Sequence, residues 1–321
     1  MEIELLKKLI HSIGVSGYEE LFYNAIEPHL HKLGFETRKD RSGNLVATRK
    51  GSGHPVSLIA HADTVGLIIS HVSDNVAKFQ TIGGIDLSCL PAHHVRIRRF
   101  ATQDEVHGVI GFPPPHLTRD KVDLESLFID VEEAVSVGDI AIFDEATVIQ
   151  GGRIMSPYLD DRIGCFVSLE VARETDNDMK IVFTRGEEIG LQGAWSEMMN
   201  PEPERLKIVI DTSAAGDHPP IPPGKSTSSL GKGPIIRVHD IKYDMPMRLR
   251  EWVEKIAKDM GVVYQIGVVG GTTDAAVVAQ GSLNTVPICI PCRYSHSPVE
   301  MCSLKDVGNT IKLISELVKR W

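Results

Sequence analysis

The spacing of apolar and polar positions changes character twice along the 321-residue chain. Over residues 1–13, Ile3, Leu6, Ile10 and Ile13 recur at helical intervals, which predicts an amphipathic opening helix. Ser16 with Glu19 three positions on has the form of a capping box. It predicts a second helix ending near Leu33, where Gly34 is the natural stop. Two short strands follow over residues 35–38 and 45–49, joined by Arg41-Ser42-Gly43-Asn44. Residues 56–60 are apolar apart from Ser57, as in strands buried on both faces, and lead into His61-Ala62-Asp63.

From about residue 67 to 150 the texture changes to short β-rich segments. Strand-like segments at 67–72, 76–82, 95–100, 105–111 and 140–143 alternate with turns, and helical spacing is confined to a stretch near 121–127. This predicts a small β-barrel or sandwich inserted into an α/β chain, with Pro113-Pro114-Pro115 as a rigid exposed loop. The α/β pattern resumes at Ser156. It predicts a helix over 162–173, strands at 180–184 and 207–211, and a Pro/Gly/Ser loop at 216–226. A strand (235–238), a helix (247–260), a strand (262–268), the turn GGTTDA with a short helix, and a strand (285–290) come next. The last helix starts at Ser303, with Asp306 three on, and buries Val307, Ile311, Ile314 and Val318.

Composition narrows the function. A net charge of −9 disfavours nucleic acid or an anionic membrane as partner. No apolar run approaches the ~20 residues of a membrane span. The acidic, helically spaced N-terminus is not a secretory signal, and the expectation is a cytoplasmic protein. Cys89, Cys165, Cys289, Cys292 and Cys302 are scattered and odd in number, unlike a disulfide framework. Cys289-Ile290-Pro291-Cys292 has C-x-x-C spacing, but it ends a strand and has no second pair, so both cysteines read as packing residues.

Open α/β sheets carry their sites at the carboxyl ends of strands. Here those ends bear His61 and Asp63, Glu187 and Glu188, Asp211, and His296, while Asp160 and Asp161 open a helix. Each piece alone has a plain structural explanation: a surface histidine, a helix N-terminus with an ion pair, a solvated pair of loop acids. Together they form an imidazole and carboxylate set suited to zinc, manganese or cobalt, and divalent cations would offset the repulsion among the acids. In His61-x-Asp63 the two side chains share a face, so Asp63 can accept from the ring nitrogen that does not bind metal. Glu187 and Glu188 diverge, so one can hold metal while the other acts as base towards water; spacing alone does not say which. Asp160 could bridge two metals, with Asp161 oriented by Arg162.

The motifs SGYE, HADTVG, SPYLDDRIGC, FTRGEEIGLQGA, VIDTS, TDA and RYSHSPVE, spread over nearly the whole chain, resemble those of the tetrahedral aminopeptidases. That group includes glutamyl and deblocking aminopeptidases and was once labelled endoglucanase-like. The resemblance implies a three-layer, zinc-exopeptidase-like α/β domain with a mixed central sheet, built from residues 1–68 and 152–321. Residues 69–151 would be an inserted β-barrel dimerisation domain. It implies a metallo-aminopeptidase, a hydrolase that removes N-terminal residues from peptides with a free N-terminus. Two divalent ions per subunit, zinc or else cobalt or manganese, would activate water. His61 and Asp211 would hold one metal, Glu188 and His296 the other, and Asp160 both. Glu187 would be the general base, Asp63 the partner of His61, and the Asp160–Asp161 peptide cis. The family assembles homo-oligomers, dimers that build a dodecamer. Thr64 stands where the family has glutamate, and Thr272 departs from its glycine-rich turn. Another metallo-amidase or deacylase on the same scaffold, a carboxylate-pair glycosidase and an inactive scaffold are the competing readings.

Overall fold

The computed structural model of the chain describes residues 1–113, 116, 122–202 and 204–321. Its backbone is a large mixed sheet with helices packed on it, and a six-stranded closed barrel. The sheet runs in the order Glu36–Lys39, Leu45–Arg49, Asn177–Thr184, Ser52–His61, Leu206–Ala214, Thr285–Arg293, Glu300–Ser303, Arg153–Ser156 and Val148–Gln150. Ile235–Asp240 branches from Thr285–Arg293 and pairs in turn with Gln265–Val268 and Tyr243–Asp244.

The four central strands are mutually parallel. They are the most apolar in the sequence, as strands covered on both faces must be. Val56, Leu58, Ile59, Ile181, Val182, Ile208 and Ile288 are sealed from solvent, and each such side chain contributes about 1.5–3 kcal/mol on burial. Helix Leu159–Glu174 packs on Ser52–His61 and Leu206–Ala214, and against helices Ile3–Ile10 and Leu304–Arg320. The opening helix buries Leu5, Leu6, Leu9 and Ile10 rather than a face through Ile3 and Ile13. Ile13 instead joins the barrel's core.

The barrel closes in the order Gly66–Ser73, Val76–Ile82, Phe128–Asp130, Glu105–Gly111, His94–Arg98 and Ile140–Phe143. Its core of Leu67, Ile69, Phe79, Val95, Ile97, Ile110, Ile129 and Ile142 is separate from that of the sheet. Val148–Gln150 has already returned to the large sheet. Tyr158 ties the two bodies: its ring stacks on Phe143 and its hydroxyl accepts the Phe143 N–H at 2.6 Å. The stretch expected as helix near 121–127 is a turn over residues 124–126, with residue 121 outside the described residues. Two members of the triple-proline loop, Pro114 and Pro115, also lie outside them. Among the described residues no helix is long and apolar enough to cross a membrane.

Candidate metal centre

Parallel pairing brings the candidate residues together. Thr184 is level with His61, and Val209 with Ile59. Two residues further along each strand, Asp211 and His61 therefore stand side by side. The turn after Asn177–Thr184 carries Glu187 and Glu188. Gly186 begins that turn at φ +60°, in the left-handed region, with Gln192 closing over it; a side chain would be strained there. Asp160 and Asp161 enter at the start of helix Leu159–Glu174, joined by a cis peptide. His296 lies in the loop after Thr285–Arg293.

The side chains form two halves around one carboxylate. His61 Nε2 lies 3.2 Å from Asp160 Oδ1 and 3.8 Å from Asp211 Oδ1. His296 Nε2 lies 3.2 Å from Glu188 Oε2 and 3.5 Å from Asp160 Oδ2. Asp160 thus presents one oxygen to each histidine. Among the described residues, no imidazole is within ion-pair range of Glu187. Its carboxylate stands near His61 and Glu188 in a second grouping of possible ligand atoms.

Both rings are fixed by carbonyls. His61 Nδ1 is 3.0 Å from the Asp63 carbonyl, and His296 Nδ1 is 2.8 Å from the carbonyl of Gly84, a residue of the barrel. A carbonyl only accepts, so each Nδ1 donates and each Nε2 is left facing acids. For His61 the expected partner was the Asp63 carboxylate. That carboxylate lies 3.7 Å from the ring nitrogen, within ion-pair range though longer than a hydrogen bond, and it has other partners as well. Its oxygens accept the N–H of Glu187 at 3.0 Å, the N–H of Glu188 at 3.2 Å and the Ser16 hydroxyl at 2.6 Å. Asp63 therefore anchors the glutamate turn, and its backbone orients the histidine.

Arg162 also differs from expectation. It is fully buried over the Phe22 ring, 3.8 Å from its centroid, and donates to the carbonyls of Ala62 and Ser12. Asp161 instead accepts the Gly164 N–H with one oxygen, while its other oxygen is buried without a partner.

Electrostatics follow from crowding. Burial, with Asp160 beside it, pushes Asp211 up to about 8. Burial likewise raises Glu188 to about 7. It also lifts Glu187 and Asp161 well above the carboxylate range, with Asp211 adding to both. For Asp160 burial acts upward, but His296 and His61 outweigh it and hold the group down. Burial disfavours charge on His296, yet Asp160 and Glu188 lift it to about 10. This is a site that demands positive charge. Histidine and carboxylate oxygens converge in sets whose atoms all lie within 4.8 Å of one another: His61/Asp161/Asp211, His61/Glu187/Glu188 and Asp160/Glu188/His296. That donor set fits divalent cations such as zinc.

Several supporting residues were not legible as such. Ser16 and Glu19, read as a helix cap, brace the site. Glu19 accepts the N–H groups of Gly17 at 2.9 Å and Gly186 at 3.1 Å. Asp274 of the TDA turn is buried and accepts the Thr184 hydroxyl. Burial raises it to about 6. Glu300, four residues past His296, is sealed beneath the site. A cavity of about 410 Å³ opens beside Asp160 and His296, walled by Thr212, Ser213, Arg237 and Gly271 among others.

Residues 43–313 match the family described as M42 glutamyl aminopeptidase. The chain is 35% identical to a lysyl aminopeptidase of Pyrococcus furiosus, over 98% of this chain and 96% of that one. It is 32% identical to a putative aminopeptidase of Acetivibrio thermocellus, over 98% of both. Among solved structures, an aminopeptidase of Desulfurococcus kamchatkensis superposes with a TM-score of 0.93 at 33% identity, covering 99% of this chain and 94% of that one. The TET1 peptidase of Pyrococcus horikoshii, described as assembling into a tetrahedron or a large octahedral shell, superposes with a TM-score of 0.86 at 30% identity, over 98% of both.

Proposed function

Since the chain belongs to the M42 glutamyl aminopeptidase family, and is thereby a peptide-bond hydrolase of the aminopeptidase type, we propose that it removes N-terminal residues from peptides at a centre for two divalent ions. His61 and Asp211 would hold one ion and Glu188 and His296 the other, with Asp160 shared. Zinc suits this set best; cobalt and manganese share its donor preferences. Ions bound there supply Lewis acidity, lowering the pKa of water and polarising the scissile carbonyl.

The observation that carries this reading is Asp160, with one oxygen towards each histidine and a further acid beside each. The remaining roles belong to the chain's own groups. Glu187, close to the others but paired to no imidazole, takes the proton of the attacking water and passes it to the leaving amine. A carboxylate that starts ionised can accept that proton and give it up again, so one group serves both transfers. Asp63 keeps it in place through the turn's N–H groups. The cavity walled by Thr212, Ser213 and Arg237 receives the side chain of the departing residue. The chain acts as a homo-oligomer joined through its barrel.

The test is hydrolysis of a panel of aminoacyl-anilides, free and N-blocked, before and after chelation and with zinc, cobalt or manganese restored. Cleavage confined to free-amine substrates, lost with chelator and regained with metal, is expected. Cleavage of the anilides that survives chelation would overturn the metal-dependent mechanism, and cleavage of N-blocked substrates would favour a deacylase.

A further inference from the structure

Glu300 is the first residue of strand Glu300–Ser303 and is 1% exposed. Its Oε2 accepts the backbone N–H of Asp160 at 2.8 Å, and its Oε1 accepts the backbone N–H of His296, also at 2.8 Å. These two residues are far apart in sequence and belong to different elements. Neither has its backbone N–H committed within a helix or strand ladder. His296 also sits at φ +62°, a left-handed backbone uncommon for a non-glycine residue. One buried carboxylate thus fastens both main-chain segments that deliver Asp160 and His296.

We propose that Glu300 is a positioning residue that sets the spacing between Asp160 and His296 and so governs the half of the centre formed by His296 and Glu188. The inference rests on the two-ion reading above. Two of that half's three groups, Asp160 and His296, hang from Glu300. In the other half, formed by His61, Asp211 and Asp160, only Asp160 does. The ring of His296 is held separately by Gly84, so Glu300 fixes where the imidazole starts and Gly84 which nitrogen it presents. Both N–H donors need an acceptor. Glutamine offers one acceptor oxygen and one donor nitrogen, so Glu300→Gln keeps the shape and loses one tether.

The experiment strips the full-length protein with chelator and titrates it with zinc, and with cobalt read by its visible absorption. Wild type is expected to take up two ions. In Glu300→Gln one of the two should weaken by about 10–100-fold, the usual cost of losing a supporting partner, while the other changes much less. In a His296→Ala background, where that ion is already lost, adding Glu300→Gln should cost little more; such non-additivity is the mark of a shared site. Asp306→Asn is the control for a purely structural loss. Asp306 is also a buried carboxylate accepting two backbone N–H groups, from Gly231 and Gly233, and its variant should bind both ions normally.

Equal affinities in wild type and Glu300→Gln overturn the proposal, as does an equal loss at both ions. If the variants do not fold, hydrogen exchange on metal-free wild type decides. The amides of Asp160 and His296 are expected to be protected, and rapid exchange at both overturns the tether. Wild type that takes up no ion overturns the two-ion reading itself.

Discussion

Glu187 and Glu188 are neighbours of one chemical type, and their surroundings separate them. Glu188 stands 3.2 Å from His296 Nε2, whereas Glu187 has no imidazole partner within ion-pair range among the described residues. Glu187→Gln should therefore retain both ions by elemental analysis and lower kcat by ~10²–10⁴-fold, the range for loss of a general acid–base group. Near-normal turnover in that variant would remove Glu187 from the role. The same crowding makes metal uptake depend on pH. With Glu188 raised to about 7 and Asp211 to about 8, the stripped protein carries protons at neutral pH that an ion must displace. Zinc affinity should rise from pH 6 to pH 8, and uptake should release protons in calorimetry across buffers of different ionisation enthalpy. Uptake without proton release would contradict the raised carboxylates.

At the scale of elements, two similar sequence signals had different outcomes. Ser303 with Asp306 caps the last helix: the Ser303 hydroxyl oxygen accepts the Asp306 N–H at 3.4 Å. Ser16 with Glu19 has the same spacing, yet its hydroxyl goes to Asp63 and its carboxylate to Gly186. A local pattern states which bonds a pair can make; the nearest buried carboxylate decides which it does make. The buried strands, the strand-end acids and both histidines could be read because their period and chemistry are local. The clamp of residues 16–19 on the glutamate turn, and Glu300 beneath the centre, could not, since Glu19 meets Gly186 and Glu300 meets Asp160 across more than a hundred residues. Ser16→Ala removes a hydrogen bond to a buried carboxylate, worth about 1.5–3 kcal/mol, and should lower stability to denaturant by that amount. A loss under roughly 0.5 kcal/mol, the range of neutral surface changes, would show that the hydroxyl does not hold Asp63.

Across the whole molecule, five barrel strands were visible as short β-rich segments between turns. The sixth, Phe128–Asp130, has only three residues, too few to stand out from the turns around it. On the barrel's outer side Val76 and Val109 are both level with Asp130 and both exposed, and Phe112 is exposed just beyond. Apolar side chains in register on an outer face are what a partner subunit would cover. Val76→Glu with Val109→Glu should reduce the mass measured by light scattering while preserving the circular dichroism spectrum; an unchanged mass would clear this face of a part in assembly. The carbonyl of Gly84 carries a further consequence. A chain trimmed of its barrel, with a short linker in place of residues 67–143, could keep its sheet and every proposed ligand. Yet the ring of His296 would be free to turn and offer either nitrogen, leaving one ordered imidazole where the proposed centre uses two. On the proposed reading the barrel is thus a structural part of the metal centre, and removing it costs His296 its fixed nitrogen.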